Sequence, residues 1–151
     1  MADQTVSLDS GHVLLGQQVL KHADRIGLAA TGAAWIRDAA TDHWILELAT
    51  PMIDSHGPAW LYERLSVIVT KMPLPEGISM LELRLASPRE ALWRALSGMF
   101  DVDQSVLTLT ANVLNGLALP DVVLYRAVRP PDDEALQAAA LDRRYREVAD
   151  A

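Results

Sequence analysis

The feature of this chain that most constrains its fold is the segment ISMLELRLA, in which apolar and charged residues alternate. Leu81, Leu83 and Leu85 occupy every second position, and Glu82 and Arg84 lie between them. Successive side chains of a β-strand point to opposite faces of a sheet, so this pattern predicts a strand with one apolar and one charged face. Strands buried on one face only are typical of antiparallel sheets, and we therefore expect such a sheet.

The other periodic segments flank this strand in the order α-β-β-α-β-α-β-β-α. Hairpins dominate this order, and only two connections between strands carry helices. We therefore predict an α+β fold with a mostly antiparallel five-stranded sheet and helices packed on one face. The predicted helices cover 11–26, 57–72, 88–99 and 133–148, and the predicted strands cover 33–38, 43–50, 78–86, 105–113 and 121–128.

Two of these helices begin with recognisable capping signals. In the sequence SPRE, Ser87 is expected to cap the helix, Pro88 to be its first residue and Glu90 to reach back as in a capping box. Earlier in the chain, Asp54 or Ser55 is expected to cap the helix that follows, because their side-chain oxygens accept free backbone N–H groups.

The length and the charge of the chain limit its organisation and its partners. A length of 151 residues predicts a single domain, and we expect this domain to cover residues 1–129. The Pro130-Pro131 pair then predicts a hinge within 130–151, followed by a C-terminal helix that either docks on the domain or binds a partner. The net charge of −7 disfavours general binding to nucleic acid, whose phosphates are also negative, and favours a basic protein partner.

The cysteine content and the distribution of apolar residues exclude further classes. The chain has no cysteine, which excludes disulfides, thiolate nucleophiles and cysteine-based metal sites. No apolar run approaches the roughly 18 residues of a membrane span. The N-terminal MADQTVSLDSGH lacks the basic and apolar regions of a signal peptide. We therefore predict a cytoplasmic protein that holds no cofactor and does not bind a membrane.

The segment TDHWILELATPMIDSHGPAW concentrates side chains that are able to perform chemistry. Asp54 and His56 follow a predicted strand, and such a pair can act as a general base or bind a metal. His43 lies at the other end of that strand, on the order of 20–30 Å from Asp54, so it cannot complete the site. The structural alternative is that Asp54 caps a helix and His56 lies in its first turn. We expect this structural role and predict no metal site.

A polar face of the predicted sheet is a second candidate site. Glu47 and Glu82 point away from the leucine faces of their strands, and Arg84 and Thr108 share this orientation. If the strands are neighbours, these four side chains line a shallow surface for a small ligand. A solvated sheet face, which most half-exposed antiparallel sheets have, is the simpler interpretation.

Binding to another protein is the function that the sequence favours. Trp93 lies about 100° from Leu92 around its helix, where it either borders the core or stands exposed. The C-terminal helix has a narrow apolar stripe and is marginal unless it packs on something. We predict a small acidic non-enzymatic adaptor, chaperone-like binder, inhibitor or immunity-type protein, with Trp93, Leu141 and Tyr145 as partner contacts and a homodimer as one allowed state. The alternatives are a small metal-dependent enzyme at the Asp–His pair and ligand binding on the sheet face.

Overall fold

The computed structural model describes residues 8–38, 40–110, 113–114, 117–118, 120–129 and 134–149. Its helices are α1 (Ser10–Ile26), α2 (Met52–His56), α3 (Pro58–Lys71), α4 (Ala91–Met99) and α5 (Glu134–Ala149). Its strands are β1 (Gly32–Asp38), β2 (His43–Ala49), β3 (Leu83–Ala86), β4 (Val102–Leu109), β5 (Val113–Leu114), β6 (Leu117–Ala118) and β7 (Val122–Ala127). The prediction of a mixed α+β fold is confirmed. Within the described ranges, no helix is long and apolar enough to cross a membrane.

Five of the strands form one mostly antiparallel sheet in the order β3-β2-β1-β7-β4, and β5 pairs with β6 separately. β1 pairs antiparallel with β2 and with β7, and β7 pairs antiparallel with β4. β2 and β3 are parallel, because α2 and α3 carry the chain from the end of β2 back across the sheet. The two edge strands of this sheet are therefore β3 and β4.

The alternating segment around β3 differs from its prediction. The strand is short, because Met80–Glu82 form a 3₁₀ turn in which Ser79 and Glu82 exchange hydrogen bonds. Leu81 is consequently 97% exposed instead of buried. Only the second half of the pattern pairs with the sheet, and it runs parallel to β2 rather than antiparallel, as the helical crossover requires.

α1 and α3 pack on one face of the sheet, called the α1 face, and form the larger core. α1 buries Ile26 there and α3 buries Leu61. Tyr125 of β7 lies directly beneath α1, where its hydroxyl donates to the Val13 carbonyl at 2.7 Å. A Cβ at Gly16 would overlap the Tyr125 ring and its hydroxyl, so the close approach of helix and strand requires glycine at that position.

α4 packs on the opposite face, called the α4 face, so the prediction that the helices share one face is wrong. It buries Trp93 and Leu96 against Ala34 of β1 and Leu124 of β7. The physical reason is that the central strands are apolar on both faces: every residue of β7, for example, is buried. A sheet of this kind needs a cover on each side.

The helix starts also differ from their predictions. α4 begins after Glu90, while Ser87 and Glu90 close a preceding turn in which the Ser87 N–H donates to the Glu90 carboxylate at 2.9 Å. α3 has Gly57 at its N-cap and no capping side chain. Asp54 lies one element earlier, in α2, so its carboxylate bonds to another part of the chain instead of capping α3.

The C-terminal helix α5 packs against α3. Leu141 is fully buried in the larger core. Arg64 of α3 donates to Asp142 at 3.2 Å, and its guanidinium carbon lies 4.9 Å from the centroid of the Tyr145 ring. These contacts hold α5 on the rest of the molecule. The Pro130-Pro131 pair, predicted as a hinge before this helix, lies outside the described residues.

Candidate functional site

The structure places Asp54 and His56 with separate partners. The Asp54 carboxylate accepts the Ser87 hydroxyl at 2.8 Å, which joins α2 to the turn after β3. His56 bonds through Nδ1 to the Ser55 hydroxyl at 2.8 Å and stacks on Trp60, with ring centroids 4.2 Å apart. In the described part of the chain, no group of three His, Asp or Glu side chains is arranged to hold a metal ion.

The residues predicted to contact a partner lie mainly inside the molecule. Trp93 is 2% exposed and Leu141 is 0% exposed. Tyr145 is half-buried and lies against the Arg64 guanidinium. The docking of α4 on the sheet and of α5 on α3 covers these side chains, so Trp93 and Leu141 cannot contact a partner directly in this conformation.

Glu47 is the centre of a buried polar cluster beneath α4. Its carboxylate accepts the Trp93 indole N–H at 2.6 Å, although Glu47 is only 4% exposed. Arg84, opposite Glu47 on β3, lies 3.5 Å from the same carboxylate and also reaches Glu90. Burial raises the pKa of Glu47, while the Trp93 hydrogen bond and the Arg84 charge act in the opposite direction. Because this carboxylate is satisfied by its neighbours, the cluster fixes α4 on the sheet.

The four residues predicted to line a ligand surface do not form one surface. Glu47 and Arg84 are neighbours, but Glu82 lies in the 3₁₀ turn before β3. Thr108 lies on β4, three strands away from β2. Thr108 is also opposite Val123, whose side chain belongs to the larger core, so it points to the α1 face, away from Glu47.

The outer edge of β4 has no partner strand in the part of the chain that the structure describes. The segment 105–110, SVLTLT, carries no charged residue and no proline. Its side chains are exposed or half-exposed, and Val106 is 43% exposed. Natural edge strands are usually protected by lysine, proline, a bulge or short length, because their free N–H and C=O groups can pair with another strand. The edge over 106–110, called the β4 edge, lacks the charge and the proline.

The hydrogen bonds between β1 and β7 establish which way the β7 backbone groups point. The Arg37 N–H donates to the Asp121 carbonyl at 3.0 Å, so these two residues form a hydrogen-bonded antiparallel pair. Hydrogen-bonded and non-bonded pairs alternate along antiparallel strands. Val122 and Leu124 are therefore in non-bonded pairs with β1, and their N–H and C=O groups point toward β4.

The same alternation identifies the free groups of β4. Leu107 and Leu109 lie opposite Leu124 and Val122, so their backbone groups bond to β7. Thr108 lies between them and directs its N–H and C=O groups away from β7, toward solvent. The β4 edge thus presents an outward donor and acceptor at Thr108, in the regularly paired part of β4.

Arg126 anchors the other end of β4 to the fold. Its guanidinium donates to Asp24 of α1 and to Asp103 of β4, each at 2.7 Å, and to the Ala30 carbonyl at 3.2 Å. The hydrogen bond to Asp24 is the main cause that raises the pKa of Arg126. A register shift follows between Asp103 and Leu107. Pairing with β7 is regular only beyond this shift, from Leu107 to Leu109, in the middle of the β4 edge.

A groove of about 340 Å³ lies beside α1, on the same face of the sheet as the Thr108 side chain. Its lining residues are Leu14, Gln17, Gln18, Leu20, Lys21 and Asp24 of α1 and Tyr125 of β7. β7 is the neighbour of β4, so every second side chain of a strand docked on the β4 edge points to the side of the sheet that holds this groove.

No match is found when the chain is compared with known protein families, with characterised proteins and with solved structures. The candidate site defined by the geometry is the β4 edge, and the groove beside α1 lies on the same face of the sheet as its Thr108 side chain. The sequence signal that indicates it is the charge-free run SVLTLT, whose alternation predicts a strand but does not reveal that the strand lies at an edge.

Proposed function

We propose that this chain is a non-enzymatic protein-interaction protein that binds an extended polypeptide strand along the β4 edge. The observation that carries the proposal is the outward direction of the Thr108 backbone groups on a strand segment without charge or proline. Addition of a strand to an exposed sheet edge is a recurring mode of peptide recognition. Main-chain hydrogen bonds then provide the affinity, and alternate side chains provide the specificity.

The two faces beside the β4 edge favour a bound strand with an alternating pattern. On the α4 face, Leu107 and Leu109 are partly buried at the margin of the smaller core, where an apolar side chain of a bound strand would cover them. On the α1 face, the hydroxyl of Thr108 and the groove favour polar or mixed side chains. The net charge of −7 adds long-range attraction for a basic partner.

This mode of binding is compatible with the adaptor, chaperone-like and inhibitor roles expected from the sequence. All three require a surface that recognises a segment of another polypeptide. A cytoplasmic location is part of the proposal, and the cysteine-free composition is compatible with that reducing compartment.

A matched pair of variants tests the proposal. Thr108→Pro removes an outward N–H, whereas Thr108→Ala keeps that N–H and removes only the side chain. The wild type and both variants are each immobilised and then incubated with a lysate of the source organism. The proteins that each one retains are quantified by mass spectrometry. The affinity of a retained protein is then measured by calorimetry with purified components.

We expect Thr108→Pro to weaken binding about tenfold, since it removes one main-chain hydrogen bond and its ring obstructs the added strand. Thr108→Ala is expected to bind like the wild type. A partner that binds the proline variant as tightly as the wild type would contradict strand docking at the β4 edge. Circular dichroism of each variant checks that the fold is retained.

A further inference from the structure

We propose that the strand occupying the β4 edge of the free protein is β4 of a second copy of this chain. This inference rests on the proposed function, because it names the occupant of the same edge. The two β4 strands pair antiparallel across a two-fold axis at Thr108. The two five-stranded sheets thereby join into one continuous sheet.

The hydrogen-bond geometry of the β4 edge permits this pairing. Thr108 directs its N–H and C=O groups outward between the bonded positions Leu107 and Leu109, so a two-fold axis at Thr108 brings the outward groups of both copies together. Thr108 of one copy then faces Thr108 of the other as a hydrogen-bonded pair. Val106 faces Thr110 in both directions. The outward N–H and C=O of Thr108 in each copy therefore meet a partner.

The side chains of the two strands are complementary on both faces. On the α4 face, Leu107 of one copy meets Leu109 of the other, and both extend the apolar cluster that contains Leu96. On the α1 face, Thr108 meets its own copy, a cross-strand pair that can form a hydrogen bond. Pairing removes apolar leucine surface from water, which favours this strand over a purely polar segment.

The distribution of charge allows two copies to approach and sets their direction. Each copy has a net charge of −7, which repels the other over long distances, but the segment 105–110 carries no charge. Asp101 and Asp103 lie at one end of β4, and Asp103 is paired with Arg126. An antiparallel arrangement separates the two acidic ends across the axis. A parallel arrangement would place them side by side, where like charges destabilise the pair.

The small size of the paired segment predicts a weak and reversible dimer. Pairing over 106–110 is short compared with interfaces that bury about 1,200 Å² or more and persist at low concentration. Dimerisation is therefore expected to depend on protein concentration. It is also expected to strengthen with added salt, which screens the repulsion between two acidic copies.

Sedimentation velocity of the full chain over a range of concentrations tests the inference. The wild type and Thr108→Ala are expected to shift from monomer to dimer as the concentration rises. Thr108→Pro is expected to raise the dimer Kd by about tenfold or more, because the proline removes both hydrogen bonds at the axis. Thr108→Lys keeps the N–H and places two like charges at the axis, so it provides a second test should the proline variant not fold.

The outcomes separate this inference from the proposed function. A wild type that stays monomeric at every concentration overturns the second copy as the occupant. A dimer that neither Thr108→Pro nor Thr108→Lys weakens also overturns it, because the contact then lies elsewhere. If the wild type is monomeric and Thr108→Pro loses a partner that the wild type captures, only the second copy as the occupant is overturned. Strand docking at the β4 edge is then still supported.

Discussion

The two edges of the sheet differ in length, in charge and in what covers them. β3 is four residues long and carries Arg84, and its Leu85 N–H donates to the Tyr62 hydroxyl at 3.0 Å. β4 is eight residues long and has no charged residue after Asp103. The chain thus covers one edge with its own side chain, whereas the structure shows no strand paired with the other among the described residues. This contrast is expected where one edge serves binding and the other must be protected from it.

The anchoring of the two edge strands differs in the same way. β3 is tied to the interior by Arg84, which reaches the buried carboxylate of Glu47 beneath α4. Among the described side chains, β4 is tied by the ion pair of Asp103 with Arg126, at its N-terminal end. Its C-terminal half is held by the ladder to β7 and by the contacts of Leu107 and Leu109. A docked strand therefore adds its hydrogen bonds to the half of β4 that Arg126 does not hold.

The largest expected effect comes from proline at an inward position of β4, compared with proline at the neighbouring outward position. Leu107→Pro removes an N–H that bonds to β7 and truncates a partly buried leucine, so we expect it to reduce the free energy of unfolding by about 3 kcal/mol or more. Thr108→Pro removes an outward N–H and is expected to reduce it by about 1 kcal/mol or less. Urea unfolding of both variants measures the difference. Equal losses would show that inward and outward positions on β4 are assigned incorrectly.

Removal of the Arg126 anchor is expected to have the next largest effect. Arg126→Ala deletes the hydrogen bonds to Asp24, Asp103 and the Ala30 carbonyl, and we expect a loss of about 2–3 kcal/mol. Because this anchor lies before the β4 edge, dimerisation of the folded fraction is expected to be retained. Chemical denaturation gives the loss of stability, and sedimentation gives the dimer affinity. Abolished dimerisation in a folded variant would indicate that the Asp103 end also belongs to the docking surface.

Removal of the side-chain hydrogen bond that covers the β3 edge is expected to have a smaller effect on stability. Tyr62→Phe removes the hydroxyl that accepts the Leu85 N–H, which is expected to lower the free energy of unfolding by about 1 kcal/mol. No new association is expected, since β3 is short and carries the charged Arg84, and both features protect an edge strand. Thermal unfolding and sedimentation of this variant test both expectations. Larger assemblies than in the wild type would show that the β3 edge is also competent to dock a strand.

The smallest expected effect is a pH dependence on the β3 side of the sheet. Burial raises the folded-state pKa of Glu47 above its unfolded value, so the folded state binds this proton more tightly. The contribution to stability is therefore present below the unfolded pKa and is lost as pH rises through the folded pKa. Compared with Glu47→Gln, which keeps an acceptor for Trp93, the wild type is expected to gain relative stability as pH falls. Unfolding free energies of both proteins across pH measure this difference, and a relative gain with rising pH would contradict it.

Periodicity predicts the approximate positions of the five strands of the main sheet, but not their partners. The alternation around Leu83 and Leu85 predicts a strand, yet it does not reveal that Leu81 precedes the strand in a tight turn. The sequence does contain a signal for the parallel pairing of β2 and β3, because a helix was predicted between them and parallel strands require such a crossover. The strand pattern alone favours an antiparallel pair, but the helical connection makes the pair parallel.

The candidate site is likewise only partly predictable from the local sequence pattern, because its position in the sheet depends on contacts between distant parts of the chain. The run SVLTLT is visible as a strand without charge, but its position at an edge depends on β7 pairing between β1 and β4. The helical period predicts Trp93 about 100° from Leu92, at the border of the core or exposed, whereas the sheet meets the side of α4 that bears Trp93 and Leu96. Which side of a helix meets the sheet is set by packing, so the helical period alone could not decide it.

The most direct test of the account is amide hydrogen exchange, followed by NMR, at two protein concentrations that span the dimer transition. The Leu85 N–H, bonded to Tyr62, is expected to be protected equally at both concentrations. The Thr108 N–H is expected to exchange rapidly in the dilute chain and slowly in the concentrated one, while Leu107 and Leu109 stay protected throughout. A Thr108 exchange rate that is the same at both concentrations would contradict the claim that a second strand pairs with the β4 edge.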